Sequence, residues 1–298
     1  MTLVLTAHGR DTLWVLADRR LSYADGRPPI DDALKVMRLE TDDGVGILAY
    51  AGLGSTSRGT EPSEWMSAVL RGRGGLKFEQ ALGILSEAAR RELPRHLAQL
   101  PGGGYHVIVA SAFIDGRGPH LFAIEGNVLD ATVSEHEYRR IVPHQGPTVP
   151  LSMAGSGAHY LARRDPAWQR ALHDLMKAHD AGRIDEFVMA DHLATLNNQA
   201  HQGVSDGSVG PRSVVVWTHR NGGGGLQFYT GTARDPESGA IPTIASGLDV
   251  SAILEVQLRF FEPAAAEAMR LHRSLDIDDE AMSLQITQLP SDPDERLR

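Results

Sequence analysis

The sequence has no cysteine among its 298 residues, and that absence excludes several kinds of site. Disulfide scaffolds, thiolate nucleophiles, iron–sulfur clusters and cysteine-based zinc sites all need a thiol. Basic residues are also few, 29 against 38 acidic ones, which gives a formal net charge of -9. A surface with that balance is poorly suited to neutralising phosphates, so we expect no nucleic-acid partner.

Long apolar runs are missing as well. The longest candidates, Ile47 to Leu53 and Val107 to Ile114, have the length of buried strands and fall short of the roughly 18 residues that a membrane-spanning helix needs. The first residues carry no basic leader, and the apolar run Leu3 to Leu5 is soon followed by His8. We therefore expect a cytoplasmic protein with no membrane partner.

The sequence also lacks the common metal-binding and phosphate-binding motifs. The 13 histidines include neither His-x-His nor His-Glu-x-x-His. The glycines at 222–225 are followed by neither Lys-Ser nor Lys-Thr, so they indicate a hairpin turn rather than a phosphate loop. We expect no metal and no cofactor.

The order of the secondary-structure patterns predicts the fold class. Strands fill the first fifty residues, two helices follow from about Ser63, strands return from Tyr105, and two further helices precede the last strands, which end at Thr230. Grouped strands and grouped helices favour antiparallel sheets that are covered by helices. We predict an α+β fold, a four-layer α-β-β-α sandwich with two stacked antiparallel sheets.

The composition changes after Gly231. Turn-forming residues come first, then an amphipathic helical stretch from about Ile253 to Leu275, in which Pro263 should introduce a kink or a break, and then an acidic tail. We predict a main domain at residues 2–232 and a C-terminal extension at residues 233–298.

Thr2 is the most informative single residue. Removal of the initiator methionine before a small residue leaves a threonine with a free α-amine, whose ordinary pKa is about 7.7–8.0. One residue then holds both a nucleophilic hydroxyl and a base that can take its proton. Many proteins begin with Met-Thr, so an ordinary chain terminus is the alternative interpretation.

The first strand pair predicts what surrounds Thr2. A hairpin with its loop at residues 8–11 places Thr2 opposite Ala17 and beside Asp18. Arg20 then lies on the same face as Asp18 and can fix its carboxylate by a charge-assisted hydrogen bond. The alternative is that these charged residues form only a polar turn after the strand.

Several segments, taken in order, resemble the proteasome β-subunit type of N-terminal nucleophile hydrolases, across about residues 2–232. They are the start Thr2-Leu-Val-Leu-Thr, Leu16 to Arg20, Lys35 to Leu39, Ala49 to Gly54, Met153 to Gly157 and Asp206 to Gly210. The resemblance implies the fold of that family, with residues 2–232 as its hydrolase-like domain. It also implies assembly into a homo-oligomer.

The resemblance further implies a role for each matching residue. Thr2 becomes the nucleophile, Asp18 and Lys35 its charge partners, Arg20 a structural support, and the backbone N–H of Gly52 part of an oxyanion hole. An ammonium near Thr2 lowers the cost of its deprotonated hydroxyl, and glycine allows close approach to a developing oxyanion. Lys35 lies about one residue further from Thr2 than is usual in that family.

Three further residues complete the predicted site. The resemblance makes Ser156 a hydrogen-bond partner of the terminal amine, with Asp206 and Ser208 as supporting residues. The implied function is a threonine-type peptidase or amidohydrolase that cleaves a peptide or amide substrate through an acyl-enzyme ester on Thr2. The alternative is a catalytically silent structural subunit or binding module in which Met1 is retained and blocks the amine.

Overall fold

The computed structural model describes residues 2–22, 27–52, 60–97, 104–115, 119–128, 138–140, 144–145, 150–236, 239–271 and 276–289. A strand expected at residues 131–134 lies outside these ranges. Within them the elements are β1 (Val4–His8), β2 (Thr12–Asp18), β3 (Val36–Thr41), β4 (Gly44–Ala51), α1 (Pro62–Leu70), α2 (Phe78–Leu97), β5 (Gly104–Ile114), β6 (Pro119–Val128), β7 (Tyr138–Arg140), β8 (His144–Gln145), β9 (Pro150–Ala154), α3 (Ser156–Ala162), α4 (Ala167–Asp180), α5 (Glu186–Gly203), β10 (Arg212–His219), β11 (Gly224–Thr230), β12 (Ala233–Asp235), β13 (Thr243–Ala245), β14 (Leu248–Asp249), α6 (Val250–Leu271) and α7 (Asp279–Thr287).

The strands form two seven-stranded sheets. The first has the order β12-β11-β10-β2-β1-β9-β8, and the second has the order β14-β13-β3-β4-β5-β6-β7. Among the described strands the pairings are antiparallel except for that of β13 with β3, which is parallel. The prediction of an α+β fold with two sheets is confirmed.

The strands are apolar on both faces because each face meets a different core. Val15 of β2 and Ile47 of β4 belong to an apolar cluster with members from both sheets. Leu16 points the other way and joins a cluster with α4 and α5, while Leu48 joins Leu82 and other residues of α1 and α2. Every residue of β2 is buried as a result.

The predicted helices are present, with small shifts in their bounds. The stretches expected from Ser63 onward are α1 and α2, and those expected at 168–181 and 184–201 are α4 and α5. Glu61 and Glu64 form a capping box at the start of α1. Pro263 does not break α6, which continues past it to Leu271. The short helices α3 and α7 were not predicted.

The first hairpin differs in register from the predicted one. The sequence places Thr2 opposite Ala17, whereas the structure pairs Val4 with Ala17. His8, expected in the loop, stays in the strand because its ring is buried against the second sheet, with Nε2 2.7 Å from Ser111 Oγ. The pairing is therefore shifted by two residues, and that shift leaves the two faces of each strand unchanged.

Residues 233–249 contribute strands to both sheets. β12 pairs with β11 in the first sheet, and β13 pairs with β3 in the second. α6 starts directly after Asp249, whose buried carboxylate accepts a hydrogen bond from Arg71 Nε of the α1 C-cap at 3.1 Å. The division of the chain at residue 232 stays a prediction.

Candidate active site

Thr2, Asp18 and Lys35 meet at one end of the two sheets. Thr2 precedes β1, Asp18 ends β2, and Lys35 precedes β3 in the other sheet. Lys35 Nζ donates hydrogen bonds to Thr2 Oγ1 at 2.6 Å and to Asp18 Oδ1 at 3.0 Å. An ammonium between a hydroxyl and a carboxylate favours the deprotonated form of that hydroxyl.

Both oxygens of Asp18 are held by backbone amides as well as by Lys35. The N–H of Leu3 donates to Oδ1 at 2.9 Å, and the N–H groups of Gly210 and Arg20 donate to Oδ2 at 3.0 and 3.2 Å. The side chain of Asp18 is 0% exposed. Four donors thus fix one buried carboxylate, which in turn fixes the position of the lysine.

Burial sets the electrostatics of this group. Lys35 is 3% exposed, and burial lowers its pKa below the ordinary value of 10.5, although the charge of Asp18 and its hydrogen bond oppose that shift. The lysine therefore gives up its proton more readily than a surface lysine does. Thr2 is itself 1% exposed.

The turn between β9 and α3 packs directly against Thr2. Gly155 has a φ of 91°, and a Cβ added there would overlap the carbonyl oxygen of Thr2. Only glycine combines an easy positive φ with the absence of a Cβ. The N–H of Gly157 donates to the same carbonyl at 3.2 Å. This turn brings the neighbouring Ser156 to the side of Thr2.

The structure brings Ser156 and Ser208 into contact. Their hydroxyl oxygens lie 2.6 Å apart, and the backbone N–H of Ser208 donates to Asp206 Oδ1 at 2.9 Å. A hydrogen bond from the Ser208 side chain lowers the pKa of Asp206 below its ordinary value. Carboxylate and hydroxyls thus form one polar chain that ends at Ser156. Its contact with a terminal amine stays a prediction.

Gly52 lies just past the end of β4, two residues beyond Tyr50, whose N–H donates to the carbonyl of Lys35 at 2.8 Å. The glycine is therefore at the same end of the second sheet as Lys35. It has a φ of 133°, and an added Cβ would overlap the carbonyl oxygen of Tyr105. Packing against β5 accounts for the glycine here, and its part in an oxyanion hole stays a prediction.

The guanidinium of Arg20 binds Asp31 rather than Asp18. Its Nε and its second terminal nitrogen donate to the two oxygens of Asp31 at 2.7 and 2.8 Å, and its other nitrogen donates to the carbonyl of Gly207 at 2.6 Å. Arg20 therefore ties the loop that carries Gly210 to the segment before β3. Sequence reasoning missed Asp31, because a loop aspartate carries no distinguishing pattern, and it included Gly210 in a segment of the resemblance without giving it a role.

The described residues contain no group of three or more histidines, aspartates or glutamates placed to hold a metal ion. Over those same ranges, none of the helices combines the length and the apolar character needed to cross a membrane.

Comparisons with known proteins give structural likenesses only. No family model and no curated protein matches the chain. The fold is similar to that of Anbu, named as an ancestral β-subunit, from Yersinia bercovieri, with 14% identity, coverage of 79% of this chain and 88% of that chain, and a TM-score of 0.49. It is also similar to a helical assembly of the Anbu complex from Pseudomonas aeruginosa, with 15% identity, coverage of 93% and 98%, and a TM-score of 0.49.

These findings correct the family resemblance drawn from the sequence. The assignment to the proteasome β-subunit type of N-terminal nucleophile hydrolases is wrong as a family assignment, because no family model matches and the similar structures carry the name Anbu. The short motifs that suggested it are real in this chain, but they are a few residues each. The function must be argued from the site itself.

Proposed function

We propose that this chain is an N-terminal-threonine hydrolase, which cleaves a peptide or amide bond after Met1 has been removed. The observation that carries the proposal is the 2.6 Å hydrogen bond from Lys35 Nζ to Thr2 Oγ1, with the buried Asp18 behind the lysine. A threonine that has both a free α-amine and an ammonium on its hydroxyl is an activated nucleophile.

In the proposed reaction the α-amine of Thr2 takes the hydroxyl proton, and Oγ1 forms a bond to the carbonyl carbon of the substrate. The proton then passes to the leaving nitrogen as the C–N bond breaks, so the amine product departs and an ester remains on Thr2. Water gives a proton to the same α-amine, attacks the ester and releases the acid. The proton returns to Oγ1, which restores the enzyme.

Lys35 stabilises the negative charge that develops on Oγ1 during the attack. Its lowered pKa also reduces the energetic cost of sharing a proton with the hydroxyl. We place the backbone N–H of Gly52 near the developing oxyanion, because Gly52 lies at the same end of the sheet as Lys35.

The polar chain from Asp206 through Ser208 to Ser156 is proposed to orient the α-amine. Ser156 follows Gly155, which contacts the carbonyl of Thr2, so its hydroxyl is one residue from the turn that packs on the nucleophile. A hydroxyl anchored to a carboxylate can accept a hydrogen bond from the ammonium form of the amine and hold that group in place.

The alternative is a silent protein that keeps Met1. The observation in its favour is that Thr2 is 1% exposed, which leaves a substrate no direct route to Oγ1. The proposed chemistry requires the loss of Met1, because it uses the free α-amine of Thr2. N-terminal mass analysis of protein made without an N-terminal tag separates the two functions.

The hydrolase is tested with an electrophilic probe that forms an ester on N-terminal threonine. We expect labelling of the processed protein and its loss in Thr2→Ala, with partial retention in Thr2→Ser. Thr6→Ala is the matched control, because Thr6 is an equally buried threonine on β1 that lies outside the site. A processed protein that resists the probe, or a Thr2→Ala variant that labels normally, excludes the proposed function.

The arrangement of the cores supports a four-layer α-β-β-α order. One apolar cluster has members from both sheets, a second joins the first sheet to α3, α4 and α5, and a third joins the second sheet to α1 and α2. A helix layer outside each sheet follows from these clusters.

Self-association is proposed from the surface of α6. Four of its large apolar side chains, Leu254, Leu258, Phe261 and Met269, are exposed. Contiguous exposed apolar residues on a helix usually mark a binding surface. Sedimentation at micromolar concentration should show a species larger than the monomer, and a monomer alone would contradict the proposal.

A further inference from the structure

A cleft of about 710 Å³ opens between the two sheets at the end where Thr2 lies. One wall comes from the first half of β5 and the middle of β6, and the other comes from β9 and from α3. The register fixes this location: Val107 of β5 pairs with Ala51 at the end of β4, and Ala154 of β9 pairs with Val4 at the start of β1. Each wall therefore lies next to a strand of the candidate site: β5 lies next to β4, which ends just before Gly52, and β9 lies next to β1, which Thr2 precedes.

Thr2 is not among the described residues that line the cleft, but Gly155, which packs against Thr2, is. Gly155 is one of the residues that line the cleft, and a Cβ built on it would overlap the carbonyl oxygen of Thr2 and lie 3.3 Å from its Cγ2. Cγ2 and Oγ1 share one Cβ in threonine. A molecule that fills the cleft as far as Gly155 thus ends beside the residue that packs on Thr2, whose Oγ1 is the proposed nucleophile.

The interior of the cleft is aliphatic. Two strands of the second sheet present Val107, Val109, Leu121 and Ala123, and the facing wall presents Ala154 and Ala158. Among the described lining residues, Glu125 of β6 carries the only carboxylate and none is a lysine or an arginine; the other polar side chains are those of Tyr105, Ser152 and His159. Such a surface favours aliphatic groups and disfavours anions, since a carboxylate would be desolvated there near Glu125 and without a lysine or arginine partner among the described lining residues.

We propose that this cleft binds an aliphatic, uncharged group of the substrate next to the scissile amide. The substrate class is then an amide or peptide with a sizeable aliphatic acyl part, and acidic acyl parts are rejected. The proposal rests on the proposed hydrolase for its link to catalysis, but binding in the cleft can be measured without turnover.

The catalytic arm compares three covalent probes of N-terminal threonine that differ only in the acyl substituent: methyl, a linear aliphatic chain and the same chain ending in a carboxylate. We expect the aliphatic probe to label about tenfold faster than either of the others. Ala158→Leu and Ala162→Leu, both on the α3 wall, should slow the aliphatic probe more than they slow the methyl probe. Ala171→Leu, exposed on α4 and absent from the lining, is the matched control.

The binding arm uses Thr2→Ala, which cannot be labelled, and a fluorescent aliphatic amide. We expect saturable binding that Ala158→Leu abolishes and Ala171→Leu preserves. If wild type labels with the methyl probe but shows no preference among the three, the cleft proposal is overturned and the hydrolase stands. If no probe labels but the fluorescent amide binds and Ala158→Leu blocks it, the hydrolase fails and the cleft site stands. Absence of binding together with absence of preference overturns the cleft site outright.

Discussion

Asp18→Asn is the sharpest test of the buried group, because it changes charge while keeping shape. In the native protein Oδ1 accepts from Lys35 and Leu3, and Oδ2 accepts from Gly210 and Arg20. An asparagine can offer an oxygen to only one of these pairs of donors and must turn its own N–H groups toward the other. Whichever way the amide lies, two buried donors lose their acceptor.

The expected cost follows from these contacts. Removing one partner of a buried ion pair costs about 3–5 kcal/mol, since the other charge is left in a site that excludes water. The cost of the two donors that lose their acceptor is partly included in this ion-pair cost, so the two free energies are not fully additive. Against a typical unfolding free energy of about 5–15 kcal/mol, the loss is large. Lys35 can reduce it by losing its proton, because burial already lowers its pKa.

A double-mutant cycle with Lys35→Met measures the coupling. Lys35→Met alone should cost less than Asp18→Asn, because the carboxylate keeps three backbone N–H donors when the ammonium is gone. The double variant should be less destabilised than the sum of the single variants by about 1–3 kcal/mol in urea denaturation. Additivity within about 0.5 kcal/mol would refute the idea that the two charges hold each other in place.

Three further predictions concern pH and the start of α6. Burial lowers the pKa of His8 to about 4, so as the pH falls the unfolded chain binds a proton before the native protein does. The unfolding free energy should therefore fall by up to about 3 kcal/mol from pH 6.5 to pH 4. His8→Asn should flatten this pH dependence in urea denaturation, and an unchanged pH dependence would contradict the assignment to His8. For Lys35 the unfolding free energy should rise with pH between its lowered native pKa and 10.5, and Lys35→Met should remove that rise. Asp249→Ala should cost about 3–5 kcal/mol by leaving the buried Arg71 unpaired, whereas Glu267→Ala, which breaks the exposed pair with Arg270 on α6, should leave thermal stability unchanged.

Much of the fold could be predicted because burial on two faces leaves a strong pattern. The helical period of Trp65, Met66 and Val69 predicts α1, and all three side chains are buried against the second sheet. The short helix α3 escaped prediction because its few residues are too short a window for a period to show. It begins where Gly155 meets the carbonyl of Thr2, which is a long-range contact and not a local signal.

In the candidate site, too, some contacts could be predicted from the sequence and others depend on long-range packing. Thr2, Asp18 and Lys35 were expected together, and the structure joins them by hydrogen bonds of 2.6 and 3.0 Å through Lys35 Nζ. The partner of Arg20 was wrong, since Asp31 comes from a loop whose path depends on how the second sheet stacks on the first. Sequence patterns report which residues face a core, but they do not report which loops meet.

The register of the first hairpin connects these observations. A shift by one residue would have turned Asp18 to the opposite face of β2, whereas the observed shift by two keeps its face and changes its neighbour. The N–H of Leu3 then donates to Asp18 Oδ1, and the N–H of Asp18 donates back to the carbonyl of Leu3 at 3.0 Å. Thr2 comes one residue before Leu3, outside the β1–β2 strand pairing, and its Oγ1 accepts the hydrogen bond from Lys35. Thr2 therefore lies just before the strand, at the end opposite to His8, whose buried ring fits the observed register of the hairpin.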